Sequence, residues 1–142
     1  MPKGFVARKS IIIQVPPARV WEALTKPELI KQVMFGTEVI SDWQVGSTIA
    51  YKGNWQGRSY EDKGKILQMI PGRLFQSTYW SSMGGFEDKP ENYATVTYEL
   101  EAKDRSTQLT VSQDNNDSEE AREHSEKNWE TVLQTMKRLL EK

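Results

Sequence analysis

The sequence predicts an α+β fold in which a curved antiparallel sheet of six to seven strands wraps one long C-terminal helix, after two short helices that follow the first strand. Three observations carry this expectation. Residues 118–141 hold an apolar stripe at helical spacing. Residues 35–114 change to a period of two, broken by Gly, Pro and Asn at strand-length intervals. Between the first strand and that meander stand two short amphipathic segments, each opened by a proline. A sheet with one apolar face and a helix that needs a broad partner bury each other most economically when the sheet curls round the helix.

The helix comes from Trp129, Val132, Leu133, Met136, Leu139 and Leu140, which share one side of a 3.6-residue period. About 24 residues make a rod of roughly 36 Å, long enough to cross a small domain. Asn116, Asp117 and Ser118 can each cap its start, and Asp117 with Glu120 reads as a capping box. Acid at the front and Lys137, Arg138 and Lys142 at the back follow the helix dipole. Projected backwards, the stripe brings Ser125, Arg122 and Ala121 inward, so the first half either overhangs into solvent or roofs a cavity with polar groups.

The first strand is read over Phe5 to Val15, stopped by Pro16-Pro17. Val20, Trp21 and Leu24 mark a helix ending near Thr25, and Thr25 with Glu28 caps a second one carrying Leu29, Ile30 and Val33. Strands follow near Thr37 to Ser41, Ser47 to Asn54, Tyr60 to Ile70, Arg73 to Trp80, Tyr93 to Glu101 and Thr107 to Asp114. Ile70-Pro71-Gly72-Arg73 is a type II turn, and Gln56-Gly57 and Lys103-Asp104 mark further reversals. Ala94, Val96, Tyr98 and Leu100 face one way and Thr95, Thr97 and Glu99 the other, so the sheet has a dry and a wet face.

Composition bounds what the chain does. Its 142 residues suit one domain, residues 1–142, and the five Trp, five Tyr and four Phe argue against disorder. A net charge of -1 with scattered Lys and Arg offers nucleic acid no basic footprint. Without cysteine there is no disulfide, thiolate nucleophile or thiolate metal site. The longest apolar run, Ile11 to Ile13, is too short for a membrane span or signal segment, which makes a cytoplasmic protein the expectation.

Pro16-Pro17-Ala18-Arg19-Val20-Trp21-Glu22-Ala23-Leu24-Thr25-Lys26-Pro27-Glu28 resembles the start of the family named for the activator of the ninety-kilodalton heat-shock chaperone's ATPase. That family lies within the START and birch-pollen-allergen (SRPBCC) superfamily. Asp42-Trp43-Gln44-Val45-Gly46-Ser47, Gly64-Lys65-Ile66-Leu67, Pro71-Gly72-Arg73-Leu74, Pro90-Glu91-Asn92, and Trp129 with Leu133 fall in the family's order, covering nearly the whole chain. The resemblance implies a helix-grip fold with a cavity between sheet and last helix. It spans co-chaperone domains, small-ligand carriers and members of unassigned activity, and fold does not settle function. Here Val33-Met34 stand where many members carry Trp, and Asn128 precedes Trp129 where Gly is frequent.

Catalytic signatures are sparse. The one histidine, His124, lies amid Glu123, Ser125 and Glu126 on a polar helix face, without a Gly-x-Ser-x-Gly elbow. Asp114 to Ser125 imitates a calcium loop but lacks the Gly at its sixth position and the Glu at its twelfth. Glu38 and Asp42 offer carboxylates without a paired-acid pattern for a cyclase, lyase or hydrolase. No cofactor is expected. Aromatic and methionine content stands out instead: Met34, Phe35, Trp43, Tyr51, Trp55, Tyr79, Trp80, Met83 and Phe86, with Tyr98 and Trp129 added as cavity candidates. Met83-Gly84-Gly85-Phe86 sits in a loop of about ten residues, long for a hairpin and suited to a mobile lid. The expectation is therefore a non-enzymatic cavity for an apolar, aromatic or lipid-like molecule, oriented by Arg122, Gln113, Ser125 or a Tyr hydroxyl. The alternative is a chaperone-regulating interaction domain with a heat-shock chaperone as partner.

Overall fold

The structure, a computed structural model, describes residues 5–34, 36–82 and 85–142, except for the side chain of Trp55. Seven strands form one antiparallel sheet: β1 (Phe5–Ile13), β2 (Glu38–Ser41), β3 (Thr48–Trp55), β4 (Arg58–Ile70), β5 (Leu74–Tyr79), β6 (Ala94–Lys103) and β7 (Ser106–Asn116). Their order across the sheet is β1-β7-β6-β5-β4-β3-β2. Helices α1 (Pro17–Thr25) and α2 (Pro27–Val33) connect the two edge strands, and α3 (Glu119–Leu140) lies in the curve of the sheet. This is the helix-grip fold.

Each element follows the expected pattern, with local corrections. β1 ends at Ile13 rather than Val15, because the Val15 amide turns back onto the Ile13 carbonyl at 2.8 Å ahead of the prolines. β7 runs on to Asn116, opposite Phe5, and so delivers the chain directly to α3. The cap of α3 is Ser118, whose side chain accepts from the Ala121 amide at 3.0 Å, in place of the Asp117 and Glu120 box. Thr25 does not cap α2 either: its hydroxyl donates back to Trp21 O at 2.8 Å, within α1. The turn after β4 is as expected, with Gly72 at φ 76 and Arg73 N on Ile70 O at 2.9 Å.

Curvature has a visible cause in β4. A Cβ on Gly64 would stand 1.7 Å from Thr78 O, so only glycine lets β5 approach there. Beside it Lys65 N donates to the Thr78 side chain at 2.9 Å, and the pairing of β4 with β5 shifts register between Ile66 and Gln68.

The core fills the curve. Leu133 and Met136 are fully buried and Leu140 nearly so, against Ile13, Val20, Leu24, Leu109 and Val111. Phe75, 1% exposed, is its aromatic centre, with Trp21, Trp43 and Tyr98 at ring distances of 6.2, 6.2 and 6.0 Å. Trp129 packs against this core and is only partly covered. Charged side chains of α3 also close the outer edge of β1, Glu126 accepting from Arg8 N at 3.1 Å and Lys137 donating to Ile12 O at 2.7 Å, and just past both elements the C-cap residue Glu141 accepts from Gln14 N at 2.8 Å. The Arg8 amide first, and Arg122 after it, hold the Glu126 carboxyl below its ordinary pKa.

Candidate functional site

β5 ends, β6 begins, β7 ends and α3 begins at one end of the sheet. There Tyr79, Trp80, Phe86, Ala94, Gln113 and Ala121, with Ser81, Asn92 and Asn115 to Asp117, border a pocket of about 190 Å³. The pocket exists because the front half of α3 is polar: Ala121 is small, and the residues around it do not reach down to fill the space over the sheet.

The chain that leads from β5 to β6 borders one side, with the Trp80 ring beside Lys63 and Tyr93 on the face opposite Tyr79 and Ala94. Trp80 stacks on Tyr93 at 6.4 Å, and its indole N–H lies between Phe86 O at 3.2 Å and Glu87 O at 3.1 Å. Asp88 binds Lys63 Nζ at 2.6 Å, Asn92 Nδ2 donates to Glu87 O at 2.9 Å, and Ser82 N donates to Asp62 Oδ1 at 3.0 Å. The described part of the loop expected to act as a lid is thus tied to the sheet. The opposite wall is polar. Gln113 accepts the Trp129 indole N–H on Oε1 at 3.0 Å, and Asn116 accepts the Ser125 hydroxyl at 3.0 Å.

A second cluster lies on the same concave face. Tyr79 donates to Asp62 Oδ2 at 2.8 Å, and Tyr51 meets Tyr79 edge-on at 6.5 Å. Tyr98, 4% exposed, stacks on Phe75 and meets Trp129 edge-on at 5.7 Å. Burial pushes all three phenols well above the ordinary tyrosine pKa, with Asp62 adding to the shift at Tyr51 and Tyr79. Among the described residues, the Tyr51 and Tyr98 hydroxyls have no hydrogen-bond partner, unlike that of Tyr79.

The residues expected to line a cavity divide accordingly. Trp80, Phe86 and Gln113 line the pocket; Tyr51, Tyr98 and Trp129 lie deeper, between sheet and helix. Met34 packs on the core instead. Phe35 and Met83 lie outside the described residues, as does the Trp55 side chain. Arg122 does not line the pocket. Its guanidinium is drawn along the helix surface to Glu126 at 3.0 Å and Glu119 at 3.4 Å, the acids three and four residues away. Ser125 acts only through Asn116. Sequence reasoning missed Asp62, although its alternation with Tyr60 and Gly64 in β4 puts it on the inward face. It also missed Asn92, Ala94 and Asn116 as pocket residues, since a family motif, a dry strand face and a helix cap were all that their pattern signalled.

Comparison with known proteins places this architecture. Residues 14–141 match the family described as Activator of Hsp90 ATPase homolog 1-like protein. The chain belongs to this family. Among solved structures, the Activator of Hsp90 ATPase homolog 1-like chain resembles ChR145 from Cytophaga hutchinsonii at 45% identity, covering 99% of this chain and 97% of that one, with a TM-score of 0.86. MLL2253 from Mesorhizobium loti is 21% identical over 95% of this chain and 96% of its own, TM-score 0.77. The Aha1 dimer from Colwellia psychrerythraea is 20% identical over 97% of each chain, TM-score 0.77. These last two show a shared fold. None of the curated proteins matches the chain.

Proposed function

We propose that this chain binds an apolar or aromatic small molecule in the pocket between the end of the sheet and the first half of α3. The observation that carries the reading is a pocket of about 190 Å³ bordered by Tyr79, Trp80 and Phe86 and also by Gln113. Aromatic residues supply apolar contact and a single amide supplies orientation, the usual division of labour in ligand sites. Membership of a family that includes ligand-binding domains supports the same reading.

Native against denaturing mass spectrometry on protein purified gently from its own host tests it. A stoichiometric adduct lost on denaturation, and lost from a Trp80→Ala variant, is the expected result. A bare chain in repeated preparations sinks the carrier reading. It would move attention to the second reading, association with a heat-shock chaperone, which the family's description brings in and a pull-down tests.

A further inference from the structure

We propose that the pocket selects neutral aromatic ligands bearing a hydrogen-bond acceptor, a ring carbonyl foremost, and that the side-chain amide of Gln113 is the group that reads the acceptor. The inference rests on the ligand reading above and names the class of ligand.

An indole N–H can only donate. Trp129 Nε1 lies 3.0 Å from the Gln113 side chain, so the atom facing it is the oxygen, and the amide cannot turn round without setting two donors against each other. The Nε2 group therefore points away from Trp129, and Gln113 lines the pocket. Among the described residues no acceptor takes either of its hydrogens. Trp129 thus holds Gln113 as an oriented donor, and the partner it lacks is an acceptor.

Charge narrows the class further. Among the described residues, Asp117 is the one carboxylate that lines the pocket, and no Lys, Arg or His lines it. The described cation beside Trp80, Lys63, lies 5.7 Å from the Trp80 ring centre and is held by Asp88 at 2.6 Å. An anionic ligand would meet Asp117 without a countercharge, whereas a carbonyl brings acceptor strength without net charge. Size points the same way. A cavity of roughly 150 Å³ takes a benzene ring. The 190 Å³ here therefore suits one substituted ring or a compact fused pair, lying between Tyr79 and Ala121.

The test uses indane and 1-indanone, which differ by one carbonyl, with binding followed by two-dimensional NMR of the full chain. 1-Indanone is expected to bind about five- to tenfold more tightly, the equivalent of one net hydrogen bond. It should also move the Gln113 side-chain amide resonances, which indane leaves in place. Gln113→Glu keeps an acceptor for the Trp129 indole and removes both donors. It is expected to abolish the preference while the indole N–H resonance reports an intact fold. Equal binding of the two probes, or a preference that survives in Gln113→Glu, overturns the inference and leaves the pocket reading standing. If neither probe binds at millimolar concentration, the pocket reading falls and takes the inference with it.

Discussion

The two halves of α3 meet one sheet in opposite ways. From Leu133 to Leu140 the inward face of the helix is held by shape, with Leu133 and Met136 fully buried among aliphatic side chains and Phe75, and only its flank is bonded, Lys137 to the Ile12 carbonyl. From Ala121 to Trp129 it is held by directed bonds, Ser125 to Asn116 and Trp129 to Gln113, with Glu126 on the Arg8 amide beside them. Packing closes space, whereas hydrogen bonds only fix distances, so the pocket lies under the half that relies on bonds. The fold is anchored at one end and left with room at the other.

Substitutions in the two halves should therefore differ most in stability. Phe75→Ala removes a ring that is 1% exposed and touches three other aromatic rings, and it should lose about 3 to 5 kcal/mol in urea unfolding. Trp80→Ala, at the pocket wall, should lose about 1 kcal/mol, close to its stacking on Tyr93. Equal losses would break the contrast.

Alkali separates the halves by charge. Tyr51, Tyr79 and Tyr98 have pKa values raised by burial, so above the ordinary tyrosine value the folded chain keeps protons that the unfolded chain has lost. Their contribution is complete below pH about 10 and is lost as pH climbs from there toward the raised values. Each contributes a slope of about 1.4 kcal/mol per pH unit in that window. Ultraviolet titration should show these three ionising only as the chain unfolds, and a smooth titration at the ordinary pKa in the folded state would refute their burial.

Much of this architecture was legible in the sequence. Period and punctuation placed all seven strands and α3, because an apolar face is written into every second or every third to fourth residue. The site was less legible, because a pocket depends on which side chains stop short. Arg122 lies on the inward projection of the helix, yet its long chain bends to Glu119 and Glu126 on the surface. Gln113 could be named from its place in a strand, but its fixed orientation depends on Trp129, sixteen residues away. Asp62 and Tyr51 become neighbours only through the register of β3 on β4.

Within the hydroxyl cluster the contrast repeats on a smaller scale. Tyr79→Phe removes the donor that Asp62 accepts at 2.8 Å, and a loss of about 1 to 3 kcal/mol is expected by chemical denaturation. A negligible change would show that Ser82, the other donor to Asp62, satisfies the carboxylate alone.

Tyr98→Phe should do the reverse. Its ring stacks on Phe75 and meets Trp129 edge-on, contacts that phenylalanine keeps. Its hydroxyl has no described partner, and among the described residues no fully buried side-chain polar atom lacks one, so the hydroxyl keeps some access and removing it leaves no group unsatisfied. Stability should hold within about 0.5 kcal/mol or rise. A loss above about 1 kcal/mol would mean that the hydroxyl already has a bonded partner, such as an ordered water between sheet and helix. The polar end would then be as fully satisfied as the apolar end is filled.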